Sequence, residues 1–120
     1  LTHFDEVSEA LIKKLKTFKI PYVLLVQDFS EGLRLSEMDI VVMLGDLDDP
    51  ITYQNAQVNK ALLVATTSSD VANTNVAFTI REVNENIPII ATCNFEVFGP
   101  GEFFMLHVPM NLLPLILFWF

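Results

Sequence analysis

Three carboxylates, Asp46, Asp48 and Asp49, fall within four residues of one another directly after an apolar run. Oxygen ligands of this kind hold hard cations, but such a site needs about six of them, and one short loop offers too few. Turn and cap roles explain these acids better, with Asp49 as an N-cap and Pro50 at the first helical position. His3 and His107 lie far apart and form no metal-ligand pattern with neighbouring residues. Cys93 has no adjacent His or Lys to activate it and reads as an inert buried thiol. Ser68 and Ser69 lack the strained Gly-x-Ser-x-Gly turn of a hydrolase nucleophile. No catalytic acid or base stands beside a phosphate-binding turn, so no enzymatic activity is expected.

Composition narrows the field further. The 120 residues suffice for one core, and 52% of them are apolar. The seven Lys/Arg and fifteen Asp/Glu all precede residue 103 and leave a net charge of −8. Lys13, Lys14, Lys16 and Lys19 are the only basic cluster, and they read as the solvated face of a helix. A nucleic-acid partner is therefore not expected, since phosphate neutralisation needs clustered cations. A single cysteine excludes an internal disulfide. Asp5, Glu6 and Glu9 break any apolar stretch that would serve as a signal peptide.

The elements that position these residues alternate between helix and strand. Val7, Leu11, Leu15 and Phe18 predict a helix over 5–18 with that stripe as its buried face. Pro21 stops it. Residues 22–26 and 40–44 are short apolar runs, the mark of strands covered on both faces. Between them, 30–37 predicts a weak helix interrupted by Gly32. Residues 60–66 and 88–92 give two more strands. Ser69 or Asp70 caps the intervening helix, which turns Ala72, Val76, Ile80 and Val83 to one side. This pattern predicts a Rossmann-like, doubly wound α/β fold: a parallel sheet in the order 3-2-1-4-5 with helices on both faces. Its first central strand is missing or truncated, because only Leu1 and Thr2 precede the first helix. A truncated sequence is the simpler reading, and a slot filled by another segment is the alternative.

An ordered set of segments carries a family resemblance: 20–26 (IPYVLLV), 42–50 (VMLGDLDDP), 61–66 (ALLVAT), 70–75 (DVANTN), 77–82 (AFTIRE) and 87–91 (IPIIA). Over residues 3–96 the chain resembles RCK domains (regulator of potassium conductance), also called Trk N-terminal nucleotide-binding domains. The resemblance implies a regulatory domain of a potassium channel or transporter, at the cytoplasmic face of the membrane. NAD or ATP is the ligand it implies, and another copy of the chain, a sister RCK domain or a channel subunit is the partner. It also implies Gly45, Asp46 and Thr66 as the cofactor-binding positions near the adenosine end. The acid expected at the ribose falls on Val26, with Asp28 two residues on as a substitute. The glycines of the family's Gly-x-Gly-x-x-Gly turn fall on His3, Asp5 and Ser8, so nucleotide binding should be weak or absent. The competing class is a fragment of a Rossmann-like NAD(P)-dependent oxidoreductase.

Residues 1–96 thus form the domain and 97–120 an apolar tail. The tail's last eighteen residues carry no charge, approaching the ~20 of a membrane span, but Pro109, Asn111 and Pro114 interrupt them. An apolar contact in an oligomer, or a misread tail, is the expectation for 103–120.

Overall fold

The computed structural model describes residues 1–93 and 102–107, with side chains over 1–92. Helix α1 (Glu6–Thr17) begins where Asp5 caps it and carries Glu6 and Glu9 in its first turn and Lys14 and Lys16 in its last, an order that favours the helix dipole. Its sheet-facing side is not the expected stripe. Ile12 and Ser8 are buried, whereas Val7, Leu11 and Leu15 are half-buried and Phe18 is 53% exposed. Ile12 packs with Leu24, Val26, Leu35 and Ile40, which turns the Val7–Leu11–Leu15 side toward an open groove.

Strand β1 (Leu24–Val26) leads into α2 (Phe29–Glu37), a full helix rather than a weak one. Gly32 does not interrupt it. A Cβ there would lie 3.0 Å from Leu44 Cδ2, so the missing side chain lets α2 lie close against β2 (Val42–Leu44). That strand is half-buried to exposed, not covered on both faces as expected, because it pairs on one side only. Asp49 and Pro50 start α3 (Pro50–Asn55) as their types predict. A 3-10 turn (Val58–Lys60) precedes β3 (Val64–Thr66), and Ser69 caps α4 (Asp70–Val83) before β4 (Ile89–Cys93).

Strands β1 and β2 pair in parallel, as do β3 and β4. Leu1 and Thr2 join the two ladders. The Leu1 nitrogen donates to Val23 O at 3.0 Å, Leu25 N to Leu1 O at 2.8 Å, and Thr2 N to Ala65 O at 3.2 Å. The two Leu1 bonds follow the parallel pattern on the β1 side and Thr2 makes one bond to β3, so the stub lies between the two separate sheets and the order reads β2, β1, the Leu1–Thr2 stub, β3, β4. The expected sheet is present, and the stub stands where its central strand belongs.

Side chains alternate across the sheet with the strand period of two. Leu24 and Val26 pack with Ile12 and Leu35 on one face. Leu25 joins Tyr53, Val58, Val64, Val76, Ile80 and Ile89 on the other. The fold is therefore doubly wound, with α1 and α2 on one side and α3 and α4 on the other. One element departs from the expected tail. Strand β5 (Glu102–His107) pairs antiparallel with β4, so the backbone of 103–107 belongs to this chain's own sheet. Residues 108–120, with the rest of the expected apolar contact, lie outside the described residues, and so do the side chains of Cys93 and His107. Among the described residues, no helix is long and apolar enough to cross a membrane.

Candidate functional site

Open α/β sheets bind ligands beyond the C-terminal ends of their strands, where the strand order reverses. Here that point lies above the stub, between β1 and β3, at the N-terminus of α1. Helix N-termini attract phosphate because their first amides lack partners. In this chain a side chain of the protein takes one of those amides. Ser8 N donates to Asp5 Oδ1 at 2.9 Å, and Asp5 N donates to Ser8 Oγ at 2.8 Å, a reciprocal capping box. The Asp5 carboxylate thus lies at the head of α1, and Ser8 is fully buried beneath it. Two of the residues at the three glycine positions, Asp5 and Ser8, form this helix cap.

The remaining candidate positions are distributed unevenly. Gly45 follows β2, and its amide donates to Val26 O at 3.1 Å. Its Cα faces α3 closely, since a Cβ would lie 2.5 Å from Thr52 Cγ2. Asp46 Oδ1 accepts from Asp48 N at 2.9 Å and from Gln27 Nε2 at 3.3 Å, so Gln27 ties the loop after β1 to the loop after β2. Asp28 caps α2 through the Glu31 amide and also accepts from the Ser30 hydroxyl. Those two bonds, the Ser30 one first, hold its carboxyl below the usual range. Gly45, Asp46 and Asp28 therefore gather at the ends of β1 and β2, as the sequence leads one to expect.

Thr66 is different. It ends β3 as expected, but its side chain is completely buried. Thr2 Oγ1 donates to Thr66 Oγ1 at 2.6 Å, and Thr66 Oγ1 donates to Asn73 Oδ1 at 2.8 Å. The hydroxyl is committed within the protein. Asn73, 3% exposed, is the hub that sequence reasoning missed. Its Oδ1 also accepts from Ser68 N at 2.9 Å, and its Nδ2 donates to Ser68 O at 3.1 Å and Thr92 O at 2.9 Å. One amide thereby joins the ends of the stub, β3 and β4 to the first turns of α4. The available signal was an Asn inside a helix, where that residue is favoured only if its side chain has a specific partner. Tyr53 was missed as well: it is buried and donates to Leu47 O at 2.7 Å. Burial, and then Asp48 and Asp46, push its phenol well above the usual range, so it remains a neutral donor.

The pocket at the strand ends is small. Thr2, His3, Val26, Gln27, Asp28 and Glu31 are among its lining residues, and its volume is about 190 Å³. Small-molecule sites begin at about 300 Å³. Glu31, Asp28 and Asp5 make the surroundings acidic, which opposes a polyphosphate. Among the described residues no group of three His, Cys, Asp or Glu is arranged to hold a metal ion.

Comparison with known proteins gives a consistent placement. The TrkA-N domain family matches residues 4–99. The GsuK channel bound to NAD is similar in structure, with a TM-score of 0.74 and 26% identity over 82% of this chain and 18% of that one. The crystal structure of the GsuK RCK domain gives a TM-score of 0.73 at 26% identity, over 82% of this chain and 22% of the other. GsuK bound to ADP gives 0.74 at 26% identity, over 82% and 26%. The match thus covers between 18% and 26% of the GsuK chains that this chain resembles. No curated protein matches it.

Proposed function

The chain belongs to the TrkA-N domain family, and from that premise we propose that it is a regulatory domain of a potassium channel or transporter, placed at the cytoplasmic face of the membrane and not itself an enzyme. The observation that carries this reading is the family match over residues 4–99 together with the likeness to GsuK. The domain acts by contacts with a second copy or a sister domain. Val71 and Phe78, seven residues apart on α4 and 73% and 70% exposed, support such a contact, because they share one helix face.

Its nucleotide site is degenerate. Asp5 caps the helix that would take the phosphates, and only the adenosine side keeps family residues, at Gly45 and Asp46. If any nucleotide binds, it does so weakly, through the loops after β1 and β2. Calorimetric titration of the full chain with NAD, NADH, ADP and ATP tests this. No saturable heat is expected below about 100 µM ligand, a free energy weaker than about −5.5 kcal/mol. Sub-micromolar affinity for any of them would show that Asp5 is displaced and that the phosphate turn works.

A further inference from the structure

One end of the molecule carries most of its cations. Helices α1 and α2 both finish at the N-terminal ends of β1 and β2. Lys13, Lys14, Lys16 and Lys19 at the exit of α1, with Arg34 in the last turn of α2, are five of the chain's seven basic residues, and all five are exposed. Lys16 Nζ lies 3.6 Å from Asp39 Oδ2 and also donates to Asp39 O. Arg34 Nη1 lies 3.6 Å from Met38 Sδ, and Val41 N donates to Tyr22 Oη at 3.3 Å. These bonds bring the exits of the two helices together. Beside the cations stand apolar side chains open to solvent: Phe18 is 53%, Met38 47% and Val41 56% exposed.

We propose that this end of the domain docks on the headgroup layer of an anionic lipid bilayer, with Phe18, Met38 and Val41 entering the interface and the basic side chains meeting lipid phosphates. This inference goes beyond the regulatory reading and does not depend on it. Three features of the molecule specify the partner. First, lysines beside exposed apolar groups fit a bilayer surface, because the apolar groups reach the acyl boundary while the long basic stems stay at phosphate level. Second, the charge is one-sided. Asp5, Asp28, Asp46 and Asp48 lie at the other end, beyond the C-terminal ends of β1 and β2. More than about 10 Å of strand separates them from this surface, further than the Debye length of about 8 Å at physiological salt. The acids close to the cations are Glu9, Glu37 and Asp39. The Lys13–Glu9 and Lys16–Asp39 pairs, both exposed at 3.6 Å, are weak, so those lysines exchange readily to phosphate. Third, Lys19 takes a left-handed φ of 56°, at the position after a helix where glycine is the unstrained choice.

The dipole of α1 accounts for Lys14 and Lys16 in its last turn. It does not account for a lysine at a glycine position, nor for Phe18, Met38 and Val41 around it. Contact with an anionic surface accounts for both, and it turns the acidic end with Asp28 and Asp46 away from the bilayer.

The test is co-sedimentation of the full chain with vesicles of phosphatidylcholine and phosphatidylserine, and with vesicles of phosphatidylcholine alone. The chain should bind the anionic vesicles, less so as salt rises, and leave the neutral ones. Lys13→Gln and Lys19→Gly should each weaken binding about fivefold, while Lys13→Arg leaves it unchanged. Phe18→Ser should weaken it without altering the salt dependence. Lys19→Gly separates docking from folding: it relieves the left-handed backbone, so the unfolding temperature should hold or rise as binding falls. Absence of binding, or equal binding to both kinds of vesicle, would overturn the proposal. So would binding that persists in both lysine variants, because the lipid contact would then lie elsewhere in the chain. Lysine variants that change self-association in the absence of vesicles, with vesicle binding intact, would assign the patch to the acidic end of a second copy and overturn it as well.

Discussion

Replacing Asn73 by Ala should cost this domain about 3–5 kcal/mol, read as a lower urea midpoint with an unchanged slope. The side chain accepts from Thr66 and Ser68 and donates to Ser68 and Thr92 in a region closed to solvent. Truncation leaves several of those groups without partners, each at about 1–3 kcal/mol, less whatever a trapped water recovers. A domain of this size has about 5–15 kcal/mol in total, so most of its margin goes. Asn73→Asp separates hydrogen bonding from volume. The introduced carboxylate keeps the acceptor but faces the Ser68 and Thr92 carbonyls that now receive Nδ2. Its folded pKa is therefore raised, because the protonated acid can donate one of those bonds. A raised folded pKa means the folded state binds the proton more tightly than the unfolded one. The variant should gain stability as pH falls from neutral toward the ordinary carboxylate range, and Asn73→Ala should not.

The second large effect lies about two turns further along the same helix. Ile80 is 0% exposed and packs with Leu25, Val64, Val76 and Ile89. Ile80→Ala should cost about 3 kcal/mol and Ile80→Val about 1 kcal/mol, through lost burial and the cavity left behind. Phe78→Ala, on the exposed side, should change stability by less than about 0.5 kcal/mol. Equal losses at 78 and 80 would mean that α4 is rotated from the orientation described.

These two sites differ in how far the sequence announces them. Ile80 is legible, because Val76 and Ile80 repeat at the helical period and mark the face that meets the sheet. Asp49 with Pro50 and Ser69 ahead of α4 are legible too, since capping is local chemistry. Asn73 is not, because its partners include Thr92, nineteen residues away. The bond between Thr2 and Thr66 spans 64 residues, and no spacing rule encodes it. Local pattern also misled at α1, where a clean apolar stripe implied a sheet-facing surface. Val7, Leu11 and Leu15 border the groove, and burial falls to Ile12 between them. At β2, an apolar run looked like a covered strand because composition does not reveal which strand lies at an edge. The candidate site shows the same division. The absence of glycine at positions 3, 5 and 8 was plain in the sequence, but the reciprocal Asp5–Ser8 cap emerged only with the geometry.

The most direct test of the regulatory assignment is potassium flux through a chimera. GsuK would carry this chain in place of its matching domain, and flux into vesicles would be measured for the chimera, for its Asn73→Ala form and for a form lacking the domain. The regulatory reading predicts an assembled channel whose flux differs from that of the domain-deleted form, and a shift toward the deleted form when Asn73 is replaced. Identical flux from all three, with each properly assembled, would contradict it.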